Sequence, residues 1–146
     1  MTRDPTAYLE ELIAEILEQL AFCEVERKDR GFAGWSDEDL RWTEIALLAP
    51  YTDHMTIALP GELAEMIAGD AWGGLDDDDQ TLAVADFLNE LINTLAGQLL
   101  ARLNPGQPIS LGLPEAGRGP REVPSGRSLY FDVEGQPLCV SLKHAA

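Results

Sequence analysis

The segment from Val84 to Leu99 constrains the fold most, because a single helical period sorts its residues onto two opposed faces of different character. At about 100° per residue with Asp86 at zero, Glu90 falls at about 40°, Asn93 at about 340° and Gly97 at about 20°. On the same wheel Val84, Leu88, Leu91, Leu95 and Leu99 fall at roughly 140 to 220°. A helix divided in this way buries its leucine side and turns Asp86, Glu90, Asn93 and Gly97 outward. The run Asp76–Asp79 stands just before it, where negative charge favours a helix N-terminus. Four consecutive aspartates lack the alternating ligands and internal glycine of a calcium loop, so they are read as capping and no metal site is assigned.

The rest of the chain supplies what such a helix would pack on. Asp4 and Pro5 read as an N-cap and first helical residue, followed by Leu9, Leu12, Ile13, Ile16, Leu17 and Leu20 at helical spacing. A strand is expected around Cys23–Glu26, and Arg30–Asp37 is a loop or weak edge strand. Thr43–Leu48 and Met55–Leu59 read as a hairpin across Ala49–Asp53. Pro60 is expected to open a second helix with Leu63, Met66 and Ile67 on its apolar side, ending at Gly69 or at Gly73-Gly74. Asn104-Pro-Gly stops the long helix. Ile109–Leu113 then reads as a strand, Pro114–Gly126 as an extended loop, and Ser128–Val133 with Leu138–Leu142 as a second hairpin. Because the strands arrive as hairpins, the expected class is α+β: a mostly antiparallel sheet of five or six strands packed with about three helices, in one domain spanning residues 1–146.

Charge and cysteine usage exclude several functions. Twenty-six acidic against ten basic residues give a formal net charge of −16, which repels phosphate backbones and anionic lipid surfaces. Nucleic acid and membrane are not expected as partners. No apolar run approaches the roughly 20 residues of a spanning helix, and the N-terminus lacks a signal-peptide core, so the expected location is the cytoplasm. Cys23 and Cys139 form no C-x-x-C pair and read as reduced packing residues. With His54 and His144 they match no zinc-ligand spacing, and no Cys-His nucleophile is assigned.

An acid, a second acid and an amide in one outward stripe can be a solvated helix face, and the acid-amide pair alone does not exceed that. The whole pattern D-x-x-x-E-x-x-N, continued by Thr94-Leu-Ala-Gly97, resembles the signature helix of the CheC and CheX chemotaxis phosphatases, which hydrolyse the aspartyl phosphate of response-regulator receiver domains. The resemblance is strongest from Met55 to Leu99. It implies a CheX-like fold and a phosphorylated CheY-like receiver as partner, whose dephosphorylation ends a chemotaxis or two-component signal. It further implies that Asn93 orients the attacking water, that Glu90 anchors the receiver through its lysine, and that Asp86 and Gly97 are supporting. The magnesium of the reaction belongs to the receiver, so no cofactor is expected on this chain, and the family's habit is a homodimer. The family also carries a proline downstream of the asparagine; Pro114 is near that place and is assigned no role.

Two alternatives stay open. A similar fold serves in flagellar switch components, so the chain could be a non-catalytic receiver-binding module. Glu62–Gly69 also echoes Glu90–Gly97, with Glu65 where the amide would be. That is either a pseudo-repeat with one altered site or a common amphipathic pattern arising twice.

Overall fold

A computed structural model describes residues 4–29, 31–72 and 80–144. Helix α1, Pro5–Ala21, begins as its sequence requires: the Asp4 carboxylate accepts hydrogen bonds from the Thr6 backbone N–H at 3.0 Å and the Thr6 hydroxyl at 2.7 Å, with Pro5 in the first turn. These bonds hold the Asp4 carboxyl below its ordinary pKa. Phe22 closes the helix in the left-handed region, at φ 56°, and turns the chain toward β1, Val25–Lys28.

A 3₁₀ turn at Gly34–Ser36 then leads into β2, Leu40–Ala49, and β3, Asp53–Pro60. Helix α2 spans Gly61–Trp72 and α3 spans Gln80–Leu103, followed by β4 (Ser110–Leu111), β5 (Glu115–Arg118), β6 (Arg127–Val133) and β7 (Gln136–Leu142). The seven strands form one antiparallel sheet in the order β1-β6-β7-β3-β2-β4, with β5 also paired to β2.

Alternation along the strands divides the sheet into two faces. Ile45, Leu47, Met55, Ile57, Leu59, Leu129, Phe131, Val133, Leu138, Val140 and Leu142 meet all three helices in one core. On the opposite face Phe32 and Trp35 cover Leu40, Ala58 and Cys139 in a smaller cluster.

The α+β class and the three helices agree with the sequence reading, and three details differ. Pro60 is the last residue of β3, not the first of α2, because it pairs with Leu40 across the hairpin. The expected strand Ile109–Leu113 is reduced to Ser110–Leu111, where the ladder against β2 shifts register between Leu47 and Ala49. Inside the expected loop Pro114–Gly126, Glu115–Arg118 forms β5 on the same strand, raising the count to seven. Asp76–Asp79 lie outside the described residues.

Candidate functional site

Helix α3 carries the site, and its buried side fixes what it shows. Val84, Leu88, Leu91, Leu95 and Leu99 are each 1% exposed or less. Full burial of such a side chain contributes about 1.5–3 kcal/mol. Rotating the helix to hide Asp86, Glu90 and Asn93 would expose this row. The structure places those three on the exposed face and leaves Gly97 half-buried, as the helical period predicts. A Cβ built at Gly97 would meet only Ile109 Cδ1, at 3.9 Å. Ile109 is itself 44% exposed and forms an apolar shoulder at the foot of the stripe.

Three contacts hold the helix beyond its leucines. The Asn89 amide oxygen accepts a hydrogen bond from the hydroxyl of Thr43, wholly buried on β2, at 2.9 Å. Arg102, near the C-terminus of α3, reaches Glu11 and Glu15 of α1 at 3.1 and 3.2 Å. Trp72 at the end of α2 meets Phe87 edge to face, with ring centroids 5.6 Å apart. Asn89 and Thr43 were not singled out from the sequence. Asn89 lies at about 300° on the wheel, on the flank between the polar stripe and the apolar side. That flank position is the available signal; the partner on β2 has none.

The echo Glu62–Gly69 has a local explanation. Glu65, at the altered position, lies 3.8 Å from the guanidinium of Arg41, whose side chain is 7% exposed on the helix side of β2. Asp39 approaches the other terminal nitrogen of Arg41 at 3.5 Å. Glu65 therefore serves a buried cation beneath α2, whereas Asn93 faces outward.

Cys23 and Cys139 are free and buried, and neither adjoins the stripe. Burial pushes both thiols up to about 11, with Glu134 and Asp70 adding to the effect at Cys23. A thiol so shifted is a poor nucleophile near neutral pH. His54 lies 3.4 Å from Glu44, with Glu44 on the helix-free face of the sheet. Among the described residues no group of three or more His, Cys, Asp or Glu side chains could hold a metal ion.

What this arrangement offers is an acid and an amide, one turn apart, on a rigid and accessible helix face. A carboxylate there can pair with a cation, and an amide can donate and accept hydrogen bonds at once.

Known proteins carry the same architecture. A chain in the crystal structure of the CheX–CheY–BeF3–Mg complex from Borrelia burgdorferi superposes with a TM-score of 0.75 at 15% identity, over 96% of this chain and 97% of that one. The chemotaxis protein CheX of Vibrio vulnificus gives 0.71 at 17% identity, over 98% and 97%. FliY of Thermotoga maritima gives 0.62 at 12% identity, over 94% and 84%. At these identities the likeness is one of fold. No curated protein matches the sequence. A profile of the family described as chemotaxis phosphatase CheX matches residues 45–126, from β2 through α3 to the start of β6, more than half of the 146 residues and the whole of the exposed stripe. By that match this chain belongs to the CheC/CheX chemotaxis phosphatase family.

Proposed function

We propose that this chain is a hydrolase for the aspartyl phosphate of a CheY-like receiver, with Asn93 and Glu90 as its working residues. The observation that carries the reading is the outward placement of Glu90 and Asn93 on a helix whose opposite side is fully buried. An acyl phosphate is already activated, so the phosphatase need only hold a water in line with phosphorus. The Asn93 amide oxygen accepts a hydrogen bond from that water while the amide nitrogen donates toward the phosphoryl group. The water oxygen–phosphorus bond forms, the bond from phosphorus to the aspartyl oxygen breaks, and the water's protons leave with inorganic phosphate. Glu90 pairs with a cation of the receiver and sets the register of docking. Asp86 extends the charged face by one turn, and Gly97 leaves room for close approach. The magnesium sits on the receiver, as the Borrelia complex suggests by containing CheY, beryllium fluoride and magnesium together.

We also read the protein as a cytoplasmic homodimer that binds neither nucleic acid nor membrane. The net charge of −16 supports the last two points. Among the described residues no helix is long and apolar enough to cross a membrane.

The rival reading is a module that binds a receiver without hydrolysis. Asn93 separates the two. Phosphate loss from a phosphorylated CheY-like receiver should accelerate with the native protein and slow on the order of a hundredfold or more with Asn93→Ala, at unchanged receiver affinity. Equal rates with and without the protein, alongside detectable binding, would favour the module.

A further inference from the structure

The helix-free face of the sheet holds a cleft of about 410 Å³ that the phosphatase reading does not use. Its floor is the sheet itself, with Glu44 on β2, His54 and Thr56 on β3, and Ser141 on β7; Lys143 follows β7 directly. Its outer wall is the connection from Arg121 to Gly126, pinned at both ends. At one end the Arg121 backbone N–H donates to Trp35 at 2.8 Å, and its guanidinium stacks 4.0 Å from the Trp42 ring. At the other, Gly126 has φ +94°, and a Cβ there would lie 2.2 Å from the carbonyl oxygens of Leu142 and Lys143, so the wall closes on the end of β7 only as glycine.

Three donors facing the cleft are left without a full set of partners. Arg121 Nη1 is buried and sits 2.9 Å from Glu44 Oε2, yet out of line for a hydrogen bond and with no other partner. Thr56 is 6% exposed, and among the described residues its hydroxyl makes no hydrogen bond. Lys143, exposed at the rim, has no ion pair among the described residues. A buried donor left open, as Arg121 Nη1 is, marks the place of a missing water or anion. Arg121, Lys143 and His54 face this cleft together with the carboxylates of Glu44 and Glu122. Glu44 is already engaged by Arg121 and by His54 at 3.4 Å. Pro124 adds an apolar surface.

We propose that this cleft binds a small organic anion, its phosphate or carboxylate head held by Arg121, the Thr56 hydroxyl and Lys143 and its body against Pro124. The volume suits a metabolite-sized ligand. The site is independent of the exposed stripe on α3, which lies on the other face of the sheet.

The test is a titration of the isotope-labelled full chain with pyrophosphate and, separately, with citrate, followed by amide chemical shifts. Saturable shifts centred on Thr56, Ser141 and Lys143, with affinity lowered about tenfold or more in Lys143→Gln, are expected, since a charge-assisted contact is removed. Tighter pyrophosphate binding would identify a phosphorylated ligand and tighter citrate binding a carboxylate. Thr56→Val, which fills the same volume without the hydroxyl, should weaken binding while leaving the remaining spectrum in place. No shifts at millimolar anion, or shifts that persist unchanged in Lys143→Gln, would overturn the proposal.

Discussion

Asn93 presents its amide where it does partly because of Thr43, a residue that touches nothing outside the protein. The bond from the buried Thr43 hydroxyl to Asn89 joins β2 to α3 one turn before Asn93. Thr43→Val keeps the shape and leaves the Asn89 oxygen without its donor, so the native state should lose about 1–2 kcal/mol in urea unfolding. Receiver dephosphorylation should fall far less than in Asn93→Ala, because the group proposed to position the water remains. A change in stability alone would confine Thr43 to packing. Cys139 makes a second residue-level prediction. Its thiol is pushed up to about 11 by burial, above the ordinary value of 9.0, so the native state keeps a proton that the unfolded chain loses. Its contribution to stability is constant below pH 9 and declines as pH rises through 9 toward 11; Cys139→Ser or Cys139→Ala should flatten that decline in unfolding measured across the window. At this scale the stripe was legible in advance, because angles on a helix follow from residue order alone. Thr43, Asn89 and the Arg41–Glu65 pair were not, since each depends on which face of β2 meets the helices.

Among the elements, β5 shows most plainly how neighbours can impose a conformation. Glu115-Ala-Gly-Arg118 has neither alternation nor β-branched residues, yet it pairs with residues Arg41–Glu44 of β2. Gly117 permits this pairing. A Cβ at that position would lie 2.0 Å from the Trp42 ring, which Arg121 already covers on the same side of the sheet. Gly117→Ala should therefore displace Trp42 or detach β5, at a cost of roughly 1–3 kcal/mol or more by the measure of overpacked sites. Thermal unfolding and the near-ultraviolet signal of the tryptophans would register it, and an unchanged midpoint would argue that β5 contributes nothing. The elements read correctly from sequence are those whose own period is long enough to speak, α1, α2, α3 and the β2–β3 and β6–β7 hairpins. The boundary at Pro60 and the strand inside the Pro114–Gly126 stretch were misread, because the first is decided by pairing with Leu40 and the second by pairing with β2.

At the scale of the whole molecule, a net charge of −16 on 146 residues sets a repulsion that no single pair offsets. Raising salt from low to about 0.5 M shortens the Debye length and should raise the melting temperature, whereas a chain held mainly by surface ion pairs would lose stability. The same acidity slows approach to any acidic partner, so the proposed dephosphorylation of an acidic receiver should quicken with moderate salt at low receiver concentration. The location, dimer and receiver proposed above have no physical trace in the chain beyond its charge. They depend on surfaces the chain meets only in company. The sheet, by contrast, follows from alternation that each strand carries itself. Helix α3 is anchored at Asn89 in its middle, at Phe87 beside α2 and at Arg102 near its end, so its backbone is ordered before any partner arrives. Association at that face then has no folding step of its own to wait for: the observed rate should rise linearly with receiver concentration, without the plateau that a slow rearrangement would impose.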